Sequence, residues 1–156
     1  MREFRFRVFD RLTNEMIDVT KLEWGPHQIN KFKGRTGDSG GWYEVHEGFL
    51  NEKGYFNGSK TRIKRYVLMQ NTGLKDKNGT EIYEGDITTN KLYKNEGVAF
   101  VVYYDKEEYM FKQQPFVFKY NGKVIHNKDL TLQMGSVINK EIIGNVFQNG
   151  GLLNDS

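Results

Sequence analysis

The sequence predicts an all-β protein. Short runs that alternate or are apolar on both faces recur along the chain, two Asn-Gly turns (Asn78-Gly79 and Asn121-Gly122) separate such runs, and no long stretch sustains a 3.6-residue period.

Residues 2–9 alternate, with Phe4, Phe6 and Val8 on one side and Arg5, Arg7 and Phe9 on the other. That predicts a strand with one wet, basic side. Asp10 to Glu15 supplies a polar turn and Met16 to Leu22 the returning strand. From Gly25 to Lys60 the pattern lapses. This segment holds 8 of the 17 glycines and one of the two prolines, and it reads as a long irregular loop, either functional or a mobile insertion. Trp42–His46 and Gly48–Leu50 inside it suit short strands or an Ω-loop. Its aromatics (Phe32, Trp42, Tyr43, Phe49, Tyr55, Phe56) are expected to pack on the core or on another subunit.

Tyr66 to Gln70 is apolar on both faces and predicts a central strand, with Ile63, Val67 and Met69 opposite Tyr66 and Leu68. Asn71-Thr72-Gly73 is expected to break it. Asp76-Lys77-Asn78-Gly79 is a hairpin turn, with Leu74 and Ile82 as inward partners. Glu84-Gly85-Asp86-Ile87 resembles the opening of small SH3-like barrels, where Gly permits a tight bend before a β-branched strand. Lys91-Leu92-Tyr93 reads as a strand leading to a turn at Lys94–Gly97, and Val98–Tyr104 as the most buried strand. Asp105–Glu108 is a charged turn. Tyr109–Tyr120 is a strand in which Pro115 marks a break, an edge or a bulge. Lys123–His126 returns, residues 128–138 leave room for a short helix, and Glu141–Phe147 is the last strand before a polar tail that is expected to fray. The organisation expected is an N-terminal β lobe (1–71, with the irregular segment 25–60) and a C-terminal small SH3-like barrel (72–156), with or without a shared core.

At 28% charged residues the chain reads as water-facing, and its longest apolar run, Val98 to Tyr104, is too short to span a bilayer. Arg2, Arg5 and Arg7 interleave with Phe instead of preceding an apolar block, unlike a signal peptide. With no cysteine, disulfides and thiolate chemistry are excluded. The net charge of +3 is uneven: residues 1–65 carry +4 and residues 66–156 carry −1, and all seven arginines lie at or before Arg65.

Candidate chemistry is sparse. Glu81, Glu84 and Asp86 cluster, but they flank turns where acidic residues are common, and no His or Cys lies beside them. His27, His46 and His126 lack metal-ligand spacing, and none of Ser39, Ser59, Ser136 and Ser156 sits in a nucleophile elbow. Gly34-Arg35-Thr36-Gly37 lacks the Lys-Ser/Thr ending of a phosphate loop. These features favour a protein that is not an enzyme and holds no cofactor or metal. An enzyme would instead need two or more of Asp86, Glu84 and the histidines to converge in a pocket. A different alternative is nucleic-acid binding through Arg5, Arg7, Arg62 and Arg65, with Phe4, Phe6 and Tyr66 as stacking platforms.

Gln70, Thr72, Gly73, Leu74, Asp76, Asn78 and Gly79, followed by Glu81 through Ile87, match a signature of the YopX family of phage and prophage proteins, which the chain resembles. Met1–Arg7 with Phe9-Asp10 is similar to that family's opening, although Trp is more familiar at Phe9. Ile142–Phe147 with Asn149 and Leu152 is similar to its closing strand, where Pro often replaces Gly150-Gly151. The resemblance spans the chain in order. It implies a mostly β fold, phage origin, the host bacterial cytoplasm and self-association. It brings no catalytic residue with it. The function expected is that of a non-catalytic accessory protein working through protein–protein contact, as a homo-oligomer or with a phage or host protein, and without a membrane.

Overall fold

The structure, a computed structural model, describes residues 4–24, 29–37, 42–46, 66–120, 123–126, 132–133 and 139–149. Among the described residues the protein is all-β with one short helix, and it divides into two compact units, one spanning residues 4–70 and the other beginning at Asn71.

In the N-terminal unit β1 (Phe6–Asp10), β2 (Glu15–Trp24), β3 (Ile29–Arg35) and β4 (Trp42–His46) form an antiparallel meander, and the first half of β5 (Tyr66–Lys75) pairs with the other edge of β1. The β1–β2 turn forms because Asp10 organises it. Its Oδ1 accepts from Leu12 N at 2.9 Å and its carbonyl from Asn14 N at 2.8 Å, while Asn14 takes φ 60°. Val8, Ile17, Phe32 and Tyr66 make the buried cluster, with Val19, Leu22 and Leu68 against it. The Phe32 and Tyr66 rings meet edge to face at 5.4 Å. Phe4, expected on the inner face of β1, precedes that strand and is 69% exposed.

The segment 25–60 is not an irregular loop throughout, because β3 and β4 lie in it. β3 escaped the sequence reading because its alternation is masked by a glycine. Phe32 and Gly34 are buried while Lys33 is exposed, so the period of two is present, but Gly34 contributes no apolar signal. It is glycine for lack of room, since a Cβ there would lie 2.5 Å from the Asp18 carbonyl oxygen on β2. Trp42–His46 forms the strand anticipated; Gly48–Leu50, Tyr55 and Phe56 lie outside the described residues.

In the C-terminal unit the second half of β5 pairs with β6 (Glu81–Tyr83). Then follow β7 (Asp86–Thr89), α1 (Lys91–Asn95), β8 (Val98–Asp105), β9 (Met110–Tyr120), β10 (Lys123–His126), β11 (Leu132–Gln133) and β12 (Glu141–Asn145). An antiparallel sheet runs β10-β9-β8-β7-β12, with β11 also on β9. It is open, not the closed barrel expected. At β12 the outer edge is met by a turn and side chains: Ile142 N donates to Asp76 Oδ2 at 3.1 Å, Lys77 N to the Lys140 carbonyl at 2.8 Å, and Asn145 N to Asn149 Oδ1 at 3.0 Å. Ile82, Val102 and Phe111 form one core cluster, and Ile87 with Ala99 another.

Two local expectations change. Asn71-Thr72-Gly73 does not end β5, which continues to Lys75 across a register shift. Lys91–Tyr93 is helical, because Asn90 caps it: Asn90 Oδ1 accepts from Tyr93 N at 2.9 Å, and that cap outweighs the strand preference of Leu and Tyr. Of the readings of Pro115, the edge is the one that fits: it does not break β9 but pairs with Phe100 on β8, and on the other side it falls between β11, which pairs with Lys112 and Gln113, and β10, which ends opposite Phe116.

Candidate functional site

Most polar residues of the signature stretch lie in the C-terminal unit, where Asn71, Thr72, Asp76 and Asp86 hold backbone groups. Gly73, at φ 80°, donates its N–H to Asn71 Oδ1 at 2.6 Å, and Asn71 Nδ2 donates to Glu81 Oε2 at 3.2 Å. Tyr83 Oη donates to that same carboxylate oxygen at 3.2 Å. Thr72 Oγ1 donates to the Ile82 carbonyl at 2.9 Å and accepts from Leu74 N at 3.2 Å. These contacts pin the irregular half of β5 to β6, where ladder bonds are missing.

Asp76 organises the hairpin turn that follows. Its Oδ1 accepts from Asn78 N at 2.8 Å and Thr80 N at 2.9 Å, and Oδ2 from Ile142 N. Burial acts to raise its pKa, but the N–H groups of Ile142, Thr80 and Asn78, with Lys77, hold the carboxyl below its ordinary 3.8. Gly79 sits at φ 83°, as the turn demands.

Gly85 and Asp86 form the second node. Gly85, at φ 84°, donates to the Val102 carbonyl at 2.8 Å and accepts from Val146 N at 2.9 Å. Asp86 is 1% exposed; Oδ2 accepts from Tyr83 N at 2.8 Å and Oδ1 from Asn145 Nδ2 at 3.4 Å. Asn145 Oδ1 in turn accepts from Phe147 N at 2.9 Å. Glu81 and Asp86, which flank turns in the sequence, are thus parts of the frame.

Lys140, the more deeply buried of the two buried amines among the described residues (the other is Lys112), escaped sequence reasoning. It is 1% exposed, its Nζ donates to Gln113 Oε1 at 3.0 Å, and it lies 3.6 Å from the centroid of the Phe100 ring and 5.7 Å from that of Tyr93. Thr88 Oγ1 donates to the same Gln113 oxygen at 3.2 Å. Burial lowers the Lys140 pKa to about 8. Ring face and amide oxygen both favour the ammonium form. No sequence signal points to it, because its partners come from β7, β8 and β9 and lie far away along the chain.

At the β8–β9 turn, Lys112 Nζ contacts Asp105 Oδ2 and Glu108 Oε1, each at 2.7 Å. The hydrogen bond from Lys112 holds the Asp105 carboxyl below its ordinary pKa, and the two carboxylates raise that of Lys112.

Of the four arginines in the nucleic-acid alternative, Arg5 is exposed and Arg7 half-buried, and each is engaged within the fold; Arg62 and Arg65 lie outside the described residues. His27 does too, while His46 lies in β4 and His126 in β10. Two strands, β8 and β9, stand between β10 and the β7 strand that bears Asp86, so His126 and Asp86 do not converge. Among the described residues, no group of three or more His, Cys, Asp or Glu side chains is placed to hold a metal ion. No helix among them is long and apolar enough to cross a membrane.

Fold and site together define an all-β protein of two units whose most distinctive polar residues are structural. The family model described as "YopX protein" matches residues 5–154, and the chain belongs to the YopX family. Among solved structures, it is similar to protein EF1440 from Enterococcus faecalis, with 26% identity over 99% of this chain and 100% of that one, at a TM-score of 0.48. Comparison with curated proteins returns no match.

Proposed function

We propose that this YopX-family chain is a non-catalytic accessory protein of phage or prophage origin, working in the host bacterial cytoplasm through protein–protein contact, foremost with copies of itself. The observation that carries this reading is the commitment of Asn71, Thr72, Asp76, Asp86 and Asn145 to turns and strand edges, which makes the signature a frame for presenting surfaces. An SH3-like relationship of the C-terminal unit belongs to the same reading, supported by the tight bend at Gly85. Segment 25–60 is the candidate contact region. Its strand β4 is the last of the N-terminal sheet among the described residues, and a strand edge is a template for pairing.

Size-exclusion chromatography with light scattering tests the proposal. A mass well above the 18.3 kDa chain is expected, with amide-exchange protection of residues 42–46 rising with concentration. A monomer at every concentration would overturn it. The 260/280 nm absorbance ratio across the peak tests the nucleic-acid alternative in the same run. A co-eluting nucleic acid lost on raising salt would favour Arg5, Arg7, Arg62 and Arg65 instead.

A further inference from the structure

Between β7 and β8 the chain leaves the sheet for residues 90–97 and then returns to it. Thr89 Oγ1 donates to the Val98 carbonyl at 2.8 Å, so the two ends of this excursion are tied to each other. Gly97, at φ 72°, makes the return. Inside the excursion α1 is held together locally, by its Asn90 cap and by the Gly97 N–H, which donates to the Lys94 carbonyl at 3.1 Å. α1 buries none of its residues, and Leu92 is 63% exposed. Its one half-buried side chain is Tyr93, whose ring meets that of Phe100 edge to face at 4.9 Å.

Beside Tyr93 and Phe100 lies the Lys140 amine, and the groups around it are unequally fastened. Phe100 and Gln113 belong to β8 and β9, which are joined by eight consecutive register pairs. Thr88 belongs to β7, which pairs with β8 on one side and β12 on the other. The backbone of Lys140 is fixed as well, through its carbonyl and the Lys77 N–H. Of the elements around the amine, α1 alone stands outside the sheet. Among the described residues, water therefore reaches the amine by displacement of α1, a local opening that leaves the sheet intact.

We infer that α1 is a lid over Lys140 and that its opening takes up a proton at that amine. In the closed form the Gln113 oxygen and the Phe100 face only partly replace the water that an ammonium group requires, and burial lowers the pKa to about 8. In the open form the amine returns to water and to its ordinary 10.5. The open form thus binds the extra proton between those values, so closure tightens as pH rises through that window, and the lid is loosest at neutral pH and below. The other charged and titratable groups on the surrounding described elements are few. On α1 and at its end, Lys91, Lys94 and Glu96 are exposed, and Tyr93 brings a phenol. On β12, Glu141 pairs with Lys77 at 2.8 Å and feels Lys94. On β9, Lys112 is bound to Asp105 and Glu108. β7 and β8 bring Thr88 and Phe100, which carry no charge. Once open, the lid presents to solvent a cation set against the Phe100 ring, with the Thr88 hydroxyl and the Gln113 carboxamide beside it.

Amide exchange of the full chain at low temperature, corrected for the intrinsic rate, tests this. The amides of Tyr93, Lys94 and Glu96 should exchange well ahead of those of β8, and their opening constant should fall about 8-fold from pH 7.5 to pH 9. In Lys140→Met that fall should vanish; in Tyr93→Phe, which keeps the ring and removes the phenol, it should remain. If the α1 amides exchange only together with those of β8, there is no separate lid and the inference is refuted. An opening constant indifferent to pH, or a fall that persists in Lys140→Met, would overturn the coupling to this amine. Should Lys140→Met fail to fold, the unsubstituted chain and Tyr93→Phe still decide, because a fall lost in Tyr93→Phe assigns it to the phenol and refutes the inference.

Discussion

The two units are stabilised by different means. Among the described residues, the N-terminal unit buries an apolar cluster and one polar side chain, Asp10, whereas the C-terminal unit buries Asn71, Thr72, Asp76, Asp86, Thr88, Thr89, Lys112, Gln113, Lys140 and Asn145. Apolar burial is non-directional and tolerates small shifts of register, while a buried polar group is costly unless its partner is in place. The C-terminal unit therefore adds directional bonds at its turns and edges to its apolar clusters, whereas the described N-terminal unit rests chiefly on volume.

Substitutions of each kind sharpen the contrast. The largest effect is expected at Phe32, where truncation to Ala removes a fully buried ring that packs on Tyr66. It should destabilise by about 3–5 kcal/mol, with amide protection lost first across residues 6–35. Equal loss across residues 71–149 would show that the units do not differ in this way. Next comes Asp86→Ala, which strips Tyr83 N–H of its buried acceptor and should cost about 2–3 kcal/mol by chemical denaturation. An effect within error would remove Asp86 from the frame.

Titration separates the units further. The Asp76 carboxyl is held below 3.8 in the folded protein, so the unfolded chain takes up its proton at higher pH. The stability Asp76 contributes is present above that value and is lost as pH falls through the lowered folded pKa. Acid unfolding of the C-terminal unit should shift to higher pH in Asp76→Ala. Lys140 works in the other sense. With a folded pKa of about 8 against 10.5, the unfolded state binds the extra proton between those values, and stability rises with pH across that window. In Lys140→Met the rise should disappear, and a rise that persisted would assign it to another group. The smallest effect is expected for Asn14→Tyr, which places a bulky ring at the φ 60° position of the β1–β2 turn, a conformation close to the φ 55° of Tyr109 in the β8–β9 turn. It should cost about 1–2 kcal/mol, and a neutral result would mean that these turns carry no strain at that position.

The same contrast explains what the sequence reveals. Strands β1, β2, β8, β9 and β12 are legible because alternation or a continuous apolar run is the direct imprint of burial. Asp76–Gly79 is legible because its turn chemistry is local. β3 is hidden by Gly34, whose reason for being glycine is a carbonyl on the neighbouring strand. The continuation of β5 is hidden because Asn71 and Thr72 bond to β6, so a stretch that reads as a breaker is a strand held by its side chains. The Lys140 environment is assembled from four separate elements and leaves no pattern along the chain.

The bond from Ile142 N–H to Asp76 Oδ2 links residues 66 positions apart. The turn that supplies the carboxylate closes within a few residues, so it forms early and locally, whereas the strand that supplies the N–H must return across the whole C-terminal sheet. The turn is therefore expected to form before β12 docks on it.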